Sequence, residues 1–438
     1  MSVFWCERAW LPHGPVADVR VVVHGGSITA VQAGVAAAPG DHRLSGIVLP
    51  GFANAHSHAF HRALRGRTHA GSGTFWTWRD AMYALAARLD PDSYLALARA
   101  TYAEMALAGV TCVGEFHYLH HAPGGSSYND ANAMSEALVQ AAASAGVRLT
   151  LLDTLYLAGG MDGDGYLPLD EVQQRFSDGD VTSWKLRVQA MRARDGLRLG
   201  AAVHSVRAVP ADQLPEVPTN GPLHVHLSEQ PAENAACQAL HGCSPTELLA
   251  ASGLLGAGTT AVHATHLSDD DIGLLASMDT AVCACPGTEA DLADGIGPFR
   301  RLWEAGAPLC VGSDQHASVD LLGEARAIEQ HERLARGRRA VFTPHQLVEA
   351  LTVNGHRSLG WQDAGTIEVG HNADLVAVAL DSPRTAGIDP AQVVMAAGST
   401  DVRTVVVDGR VVVEEGRHVL GDVGRLLADA ITPLWEGR

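Results

Sequence analysis

The sequence predicts an α/β protein: a (β/α)8 TIM-like barrel with a small β-sandwich domain formed from both chain ends. Three observations predict it. Strand-like apolar segments alternate with helix-like ones through the middle of the chain, two similar hairpin patterns stand at its opposite ends, and histidines and acids fall at the ends of successive strand-like segments. A doubly wound open sheet would also alternate, but it gives no reason for histidines at so many strand ends.

The hairpins frame the chain. DVRVVVHGGSITAVQAG, from Asp18, and DVRTVVVDGRVVVEEG, from Asp401, each read as a β-branched run, a Gly-containing turn and a second run. Isolated hairpins are marginal, so the two are expected in one sheet. GTIEVGHNADLVAVAL, residues 365–380, should add further strands, with a turn at Asn372-Ala373-Asp374. The expected organisation is therefore residues 1–48 as the N-terminal part of the sandwich, 49–364 as the barrel, and 365–438 as its C-terminal part plus a terminal helix.

Candidate barrel strands are 46–53, 110–116, 147–155, 199–203, 223–227, 260–265, 280–284 and 308–312. Several follow a Gly-bearing stop, such as Ala108-Gly109, Ala145-Gly146 and Ala305-Gly306. LALARATYAEMALAG and DANAMSEALVQAAASAG are helical patterns that fill the gaps. The barrel reading expects each strand to be followed by a helix.

Composition narrows the partners. An apolar content of 47% with 18% charged residues is that of a globular chain with ample core. A net charge of −18 argues against nucleic acid or an anionic membrane surface as the main ligand. An anionic small molecule would need a local basic pocket. Lys185 is the only lysine, so chemistry that requires one has a single candidate. The seven cysteines, at 6, 112, 237, 243, 283, 285 and 310, form no Cys-x-x-Cys and no paired framework. With no signal-like N-terminus, they suggest reduced thiols in a cytoplasmic protein. No uncharged apolar stretch approaches the ~20 residues of a membrane span. A homodimer is the expected assembly.

Chemistry is concentrated at the strand ends. In PGFANAHSHAFHRALRG, His56 and His58 alternate and so share a face, about 7 Å apart in an extended strand. A bare His-x-His is more often a pair of solvated loop histidines. Later strand ends supply more: Glu115, Phe116, His117 and Tyr118, then His204 and Arg207, His226 and Glu229, His263 and His266, and finally Asp314. His56, His58, His226 and Asp314 make a three-nitrogen, one-carboxylate set suited to zinc or another divalent ion. Each element alone is weak, but the ordered set on successive strands is strong. Other histidines read differently. His224 lies too early in its strand and should face a core layer or a helix; His117, His120 and His121 read as solvated or supporting; His241 reads as surface. Cys112, Cys283, Cys285 and Cys310 read as core. Asp314 could merely cap a helix, yet it directly ends the apolar APLCVG.

With these residues assembled, the chain resembles the amidohydrolase superfamily, in the deaminase branch with a His-x-His, His-x-x-Glu, His and Asp pattern. More narrowly, NAHSHAFHRA, FWTWRDAMY, EFHYLHH, HSVRAV, HLSEQ and GSDQH resemble the formimidoylglutamate deiminases of histidine degradation. The resemblance covers nearly the whole chain. It implies hydrolysis of N-formimino-L-glutamate to N-formyl-L-glutamate and ammonia. It also implies one zinc ion per chain, with Fe2+ or another divalent ion as substitute, held by His56, His58, His226 and Asp314. Glu229 and His263 become the catalytic pair, joined by Asp314, and His61, Arg79, Tyr118, His204 and Arg207 the substrate contacts. His61 departs from the family pattern, which carries Gln there. A guanine- or adenosine-type deaminase or a chlorohydrolase of the same branch is the competing reading. Its ring pocket should show aromatic stacking and amides, where this sequence offers two arginines and a tyrosine. A metal-free binding barrel is the other rival, and it should have lost ligands.

The residues agree with that implication. Binuclear relatives use a carboxylated lysine at the fourth strand, whereas Lys185 lies in the helix-like SWKLRVQAMRA before it. A single metal is therefore expected. Bound zinc lowers the pKa of its water from roughly 16 to about 7. Asp314 can accept that proton, His263 can polarise the electrophile, and Glu229 can carry a proton to the departing nitrogen. Arg79 and Arg207 suit two carboxylates because guanidinium forks bind them bidentately.

Overall fold

The computed structural model describes residues 1–69 and 75–436, without the side chains of Phe75 and Trp76, which belong to the FWTWRDAMY motif. Eight parallel strands form the central sheet: β1 (Phe52–Ser57), β2 (Val110–His117), β3 (Arg148–Leu155), β4 (Leu197–Val203), β5 (Leu223–Leu227), β6 (Thr259–His263), β7 (Ala281–Ala284) and β8 (Leu309–Val311). They pair in sequence order. A parallel bridge between Ser57 and Asp314 closes the ring from the last strand back to the first. The expected strand positions match these to within a few residues, because long apolar runs flanked by Gly and polar turns have no stable alternative to burial on both faces.

The first strand is a correction. Residues 46–53 read as one run, yet Ile47–Pro50 pairs in the terminal sheet, and the barrel strand starts anew at Phe52. Gly51 makes the break possible: a Cβ there would run into Thr111 Oγ1 and the Asp374 side chain. Ile47–Pro50 is thus the link between the two sheets, which a purely linear reading cannot show.

The terminal sheet has nine strands. Its order runs Arg417–His418, Arg410–Glu414, Val402–Val407, Leu375–Val378, Ile47–Pro50, Ser2–Leu11, Gly14–His24 and Ser27–Gln32, with His42–Leu44 beside Ser2–Leu11. Both hairpins belong to this one sheet, but towards opposite edges, with other strands between them. Residues 365–380 contribute a single strand, Leu375–Val378, rather than several. The preceding Asp374 is buried against the Arg148 guanidinium instead of forming an exposed turn. The helix Val423–Trp435 ends the described chain.

The alternation is also incomplete. Between β4 and β5 only one short 3-10 turn, Leu214–Glu216, occurs. Pro210, Pro215, Pro218 and Pro222 crowd that connection and deny it helical hydrogen bonds. No helix among the described residues is long and apolar enough to cross a membrane.

Candidate active site

The C-terminal ends of the barrel strands converge on a cavity of about 240 Å³. His56 is buried within β1, and His58 follows its last residue. The His58 Nδ1–H donates to the Phe116 carbonyl at 2.8 Å, which leaves Nε2 as the lone-pair nitrogen. His226, near the end of β5, brings its Nε2 to 3.1 Å from His56 Nε2. Asp314, just past β8, places Oδ1 3.4 Å from both His56 Nε2 and His58 Nε2. Edges of a tetrahedral site with bonds near 2 Å are about 3.3 Å long, so these donors are spaced to surround one ion.

Their protonation suits that use. Burial pushes the His56 imidazole down to about 3 and lowers His58 and His226 too, so all three are neutral donors near pH 7. Burial alone would raise Asp314, but the surrounding histidines, His56 first, hold it well below the usual carboxylate range. Three neutral imidazoles beside one carboxylate are the donor types a divalent ion takes. The residues therefore fit a divalent ion.

His263 ends β6 and lies across from this set, with Nε2 3.7 Å from Glu229 Oε1 and 3.8 Å from Asp314 Oδ2. Burial lowers its pKa, yet Glu229, Glu289 and Asp314 outweigh that and push it up to about 10. Burial raises the Glu229 carboxyl, partly countered by His263 and Arg207. The catalytic pair named by resemblance thus shares a proton-rich corner of the cavity.

The other expected contacts fall around the same space. His61, in the 3-10 turn Ala59–Leu64, sets Nε2 2.9 Å from the Tyr118 hydroxyl. His204 follows β4, with its ring 5.1 Å from that of His226. Arg79, on the helix Phe75–Ala86, lies over the Tyr83 ring at 5.4 Å and lines the cavity. Arg207 lines it too, but not as an open fork. Its Nε donates to Glu233 Oε2 at 2.9 Å and its Nη2 to Glu229 Oε2 at 3.5 Å. Two acids already hold two sides of the guanidinium, so at most its remaining edge is presented.

Not every strand-end residue reaches the cavity. Glu115 accepts from Ser57 Oγ and the Ala59 amide, and so braces the turn that carries His58. His266 lies 2.8 Å from the Asp294 carbonyl, away from the pocket. Of the two readings for His117, His120 and His121, solvated or supporting, burial excludes the first: all three are buried. His120 and His121 bond Thr154 O and Asp178, tying their loop to the scaffold. His117 and His120 approach Asp153 closely enough to suggest a second metal group. Both Asp153 oxygens are already taken by Arg187 and Trp184, so that cluster is structural. His224 faces the Ser358 carbonyl beyond the barrel wall. Asp314 caps no helix; Asp320 caps the helix Leu321–Arg336. Lys185 sits on the helix Val181–Val188, paired with Glu216 and absent from the cavity lining. Cys283, Cys285 and Cys310 form a small apolar cluster with Ala55 and Val262.

Sequence reasoning missed Glu233 and Glu289, the buried acids behind Arg207 and His263. Glu233 stands seven residues after His226, and its helical context signalled nothing about an arginine in the turn after β4. The cavity is also more aromatic than the sequence suggested, with Trp78, Tyr83, Tyr156 and Phe176 beside Tyr118. Tyr118 and Tyr156 meet Phe176 edge to face, at 79° and 70°, building a wall rather than parallel faces around a ring.

Comparison with known proteins agrees with this geometry. A model of the amidohydrolase family matches residues 47–412, and one described as formimidoylglutamate deiminase HutF, N-terminal domain, matches residues 1–45. The chain is 37% identical to the formimidoylglutamate deiminase of Pseudomonas aeruginosa, over 95% of this chain and 96% of that one. It superposes on the crystal structure of an amidohydrolase from Brucella melitensis with a TM-score of 0.90 at 31% identity, covering 99% of this chain and 100% of the other. An adenosine deaminase from Xanthomonas campestris, solved with bound zinc, gives a TM-score of 0.82 at 24% identity over 98% and 97% of the two chains. The latter likeness is one of fold.

Proposed function

Because the chain belongs to the amidohydrolase family, we propose that it is a formimidoylglutamate deiminase, hydrolysing N-formimino-L-glutamate to N-formyl-L-glutamate and ammonia in histidine degradation. The observation that carries this reading is the shared cavity: guanidinium groups of Arg79 and Arg207 line the same space as the donor set and the Glu229–His263 pair. In a chain of net charge −18, two partly buried cations at one cavity point to an anionic ligand.

His56, His58, His226 and Asp314 would hold one zinc ion, with Fe2+ as an alternative. When bound, zinc supplies Lewis acidity that makes water acidic enough to ionise near neutral pH. The protein's own groups do the rest. Asp314 accepts the proton of the attacking water as its oxygen bonds to the formimino carbon. His263 hydrogen-bonds the oxygen that has added to the carbon and holds it in place, while the electron pair of the carbon–nitrogen double bond moves to the imino nitrogen. Glu229 protonates the imino-derived nitrogen, and the proton held by Asp314 passes to the same nitrogen. The carbon–nitrogen bond breaks with ammonia taking its electron pair, and the hydroxyl proton returns to Glu229 as the formyl carbonyl forms. Arg79 and Arg207 bind the two carboxylates, while Tyr118, His61 and His204 shape the middle of the cavity. A cytoplasmic homodimer completes the reading.

An ammonia-release assay tests it, with formiminoglutamate beside guanine, cytosine and adenosine. Turnover of formiminoglutamate alone is expected. Faster release from any of the rings overturns the assignment in favour of a ring deaminase.

A further inference from the structure

Arg207 cannot be understood from its own segment, the turn that follows β4. Its guanidinium is held from the neighbouring element by Glu233, which sits in the first turn of the helix Pro231–His241 and is 1% exposed. Glu233 makes two bonds of different purpose. Oε2 accepts from Arg207 Nε at 2.9 Å, and Oε1 faces the backbone amide of Ser228 at 3.4 Å. Ser228 has φ +48°, in the left-handed region, and lies between His226 and Glu229. The same carboxylate therefore ties the arginine of the turn after β4 to the turn that aims Glu229.

A second buried acid beside a site for an anion is costly on its face, since it repels the ligand and partly neutralises the cation that should bind it. Geometry supplies a reason for it. With Nε occupied by Glu233 and Nη2 beside Glu229, the rotatable side chain is left one orientation, and among the described residues no group occupies Nη1. Fixing a guanidinium before the ligand arrives removes the entropy cost of ordering it at binding.

We propose that Glu233 is a positioning residue for substrate recognition, acting through Arg207: it orients the guanidinium edge that meets a substrate carboxylate and keeps Arg207 at a fixed distance from Glu229. This inference rests on the formiminoglutamate reading above. Glu233→Gln is nearly isosteric, but its single amide oxygen can serve only one of the two donors.

The test is a double-variant cycle with formiminoglutamate and its α-amide as substrates. Glu233→Gln is expected to lower kcat/KM for formiminoglutamate by roughly 10- to 100-fold, mostly through KM. Its preference for the acid over the amide should fall by a similar factor, with metal content unchanged. In an Arg207→Met background the same substitution should change little more, because nothing is left to orient. Glu233→Asp keeps the charge and withdraws it by one methylene, and provides the same measurement should the Gln variant fail to fold. Kinetics within twofold of wild type with full acid preference overturn the proposal, as does an equal loss in both backgrounds. A wild-type protein that releases no ammonia from formiminoglutamate overturns the substrate reading and this inference with it. A silent Glu233 variant beside an active wild type overturns the inference alone.

Discussion

His56 and Asp314 meet twice: the Asp314 amide donates to the His56 carbonyl at 3.0 Å, and His56 Nε2 lies 3.4 Å from Asp314 Oδ1. The His58 amide in turn donates to the Asp314 carbonyl at 3.2 Å. The seam that closes the barrel is therefore made by the backbone of the residues whose side chains converge on the proposed metal. The bonds that close the barrel thus also fix three of the four donors, with His226 brought in from β5.

Purified protein is accordingly expected to carry one divalent ion per chain. Elemental analysis of wild type and of a His56→Ala, His58→Ala variant checks this. Two ions per chain at full occupancy, or retained binding in the variant, would contradict the single-ion site.

Glu229→Gln should keep the metal and the fold but lose turnover by at least ~10²-fold, the usual scale for a general acid–base group. Its carboxyl lies 3.7 Å from His263 and is not among the donors, so metal content isolates the two roles. Near wild-type kcat in this variant would move proton delivery to His263.

Arg207→Met retains the stem and deletes the guanidinium. It should reduce kcat/KM by 10²-fold or more, on the order of 3 kcal/mol. Because Nη2 is 3.5 Å from Glu229, kcat should fall as well as KM rise. Equal discrimination between formiminoglutamate and its α-amide by wild type and variant would show that Arg207 does not read the carboxylate.

His61→Gln replaces the imidazole by an amide of similar reach. An amide can still bond the Tyr118 hydroxyl that His61 Nε2 now meets at 2.9 Å, so kcat/KM should change less than about tenfold. A larger loss would make the imidazole itself a requirement.

Acid stability should depend on Asp153. Burial would raise this carboxyl, but Arg187 and His120 outweigh it and hold it at about 2, below its ordinary 3.8. A depressed folded-state value means stability that is present above pH 3.8 and lost as pH falls towards 2. Thermal unfolding of wild type should show this loss, worth about 2 kcal/mol, and Asp153→Asn should flatten it. Parallel pH profiles for the two proteins would rule out the pair as its source.

How far the sequence reached can be traced residue by residue. The strand 223–227 and the histidine and acid near its end were legible because apolar runs that must be buried on both faces carry their own boundaries. Strand order, and so the gathering of His56, His226 and Asp314 on one rim, followed from barrel topology. Glu233 and Glu289 were not legible: a carboxylate's role there depends on which cation the fold brings beside it, and that partner lies on another strand or loop.

By itself, the sequence determined the alternating elements, the hairpins that share one sheet, and the chemical inventory of the strand ends. Tertiary structure alone decided the break at Gly51, which divides one apolar run between two sheets because no Cβ fits between Thr111 and Asp374. It also decided that Ser228, His263 and Asp314 adopt positive φ, a conformation that non-glycine residues hold only where surrounding contacts compensate its cost. Above all, it decided that Arg207 meets the cavity already held by two acids. Local pattern records what a segment must bury, whereas the electrostatics of a site depend on distances between segments far apart in the chain.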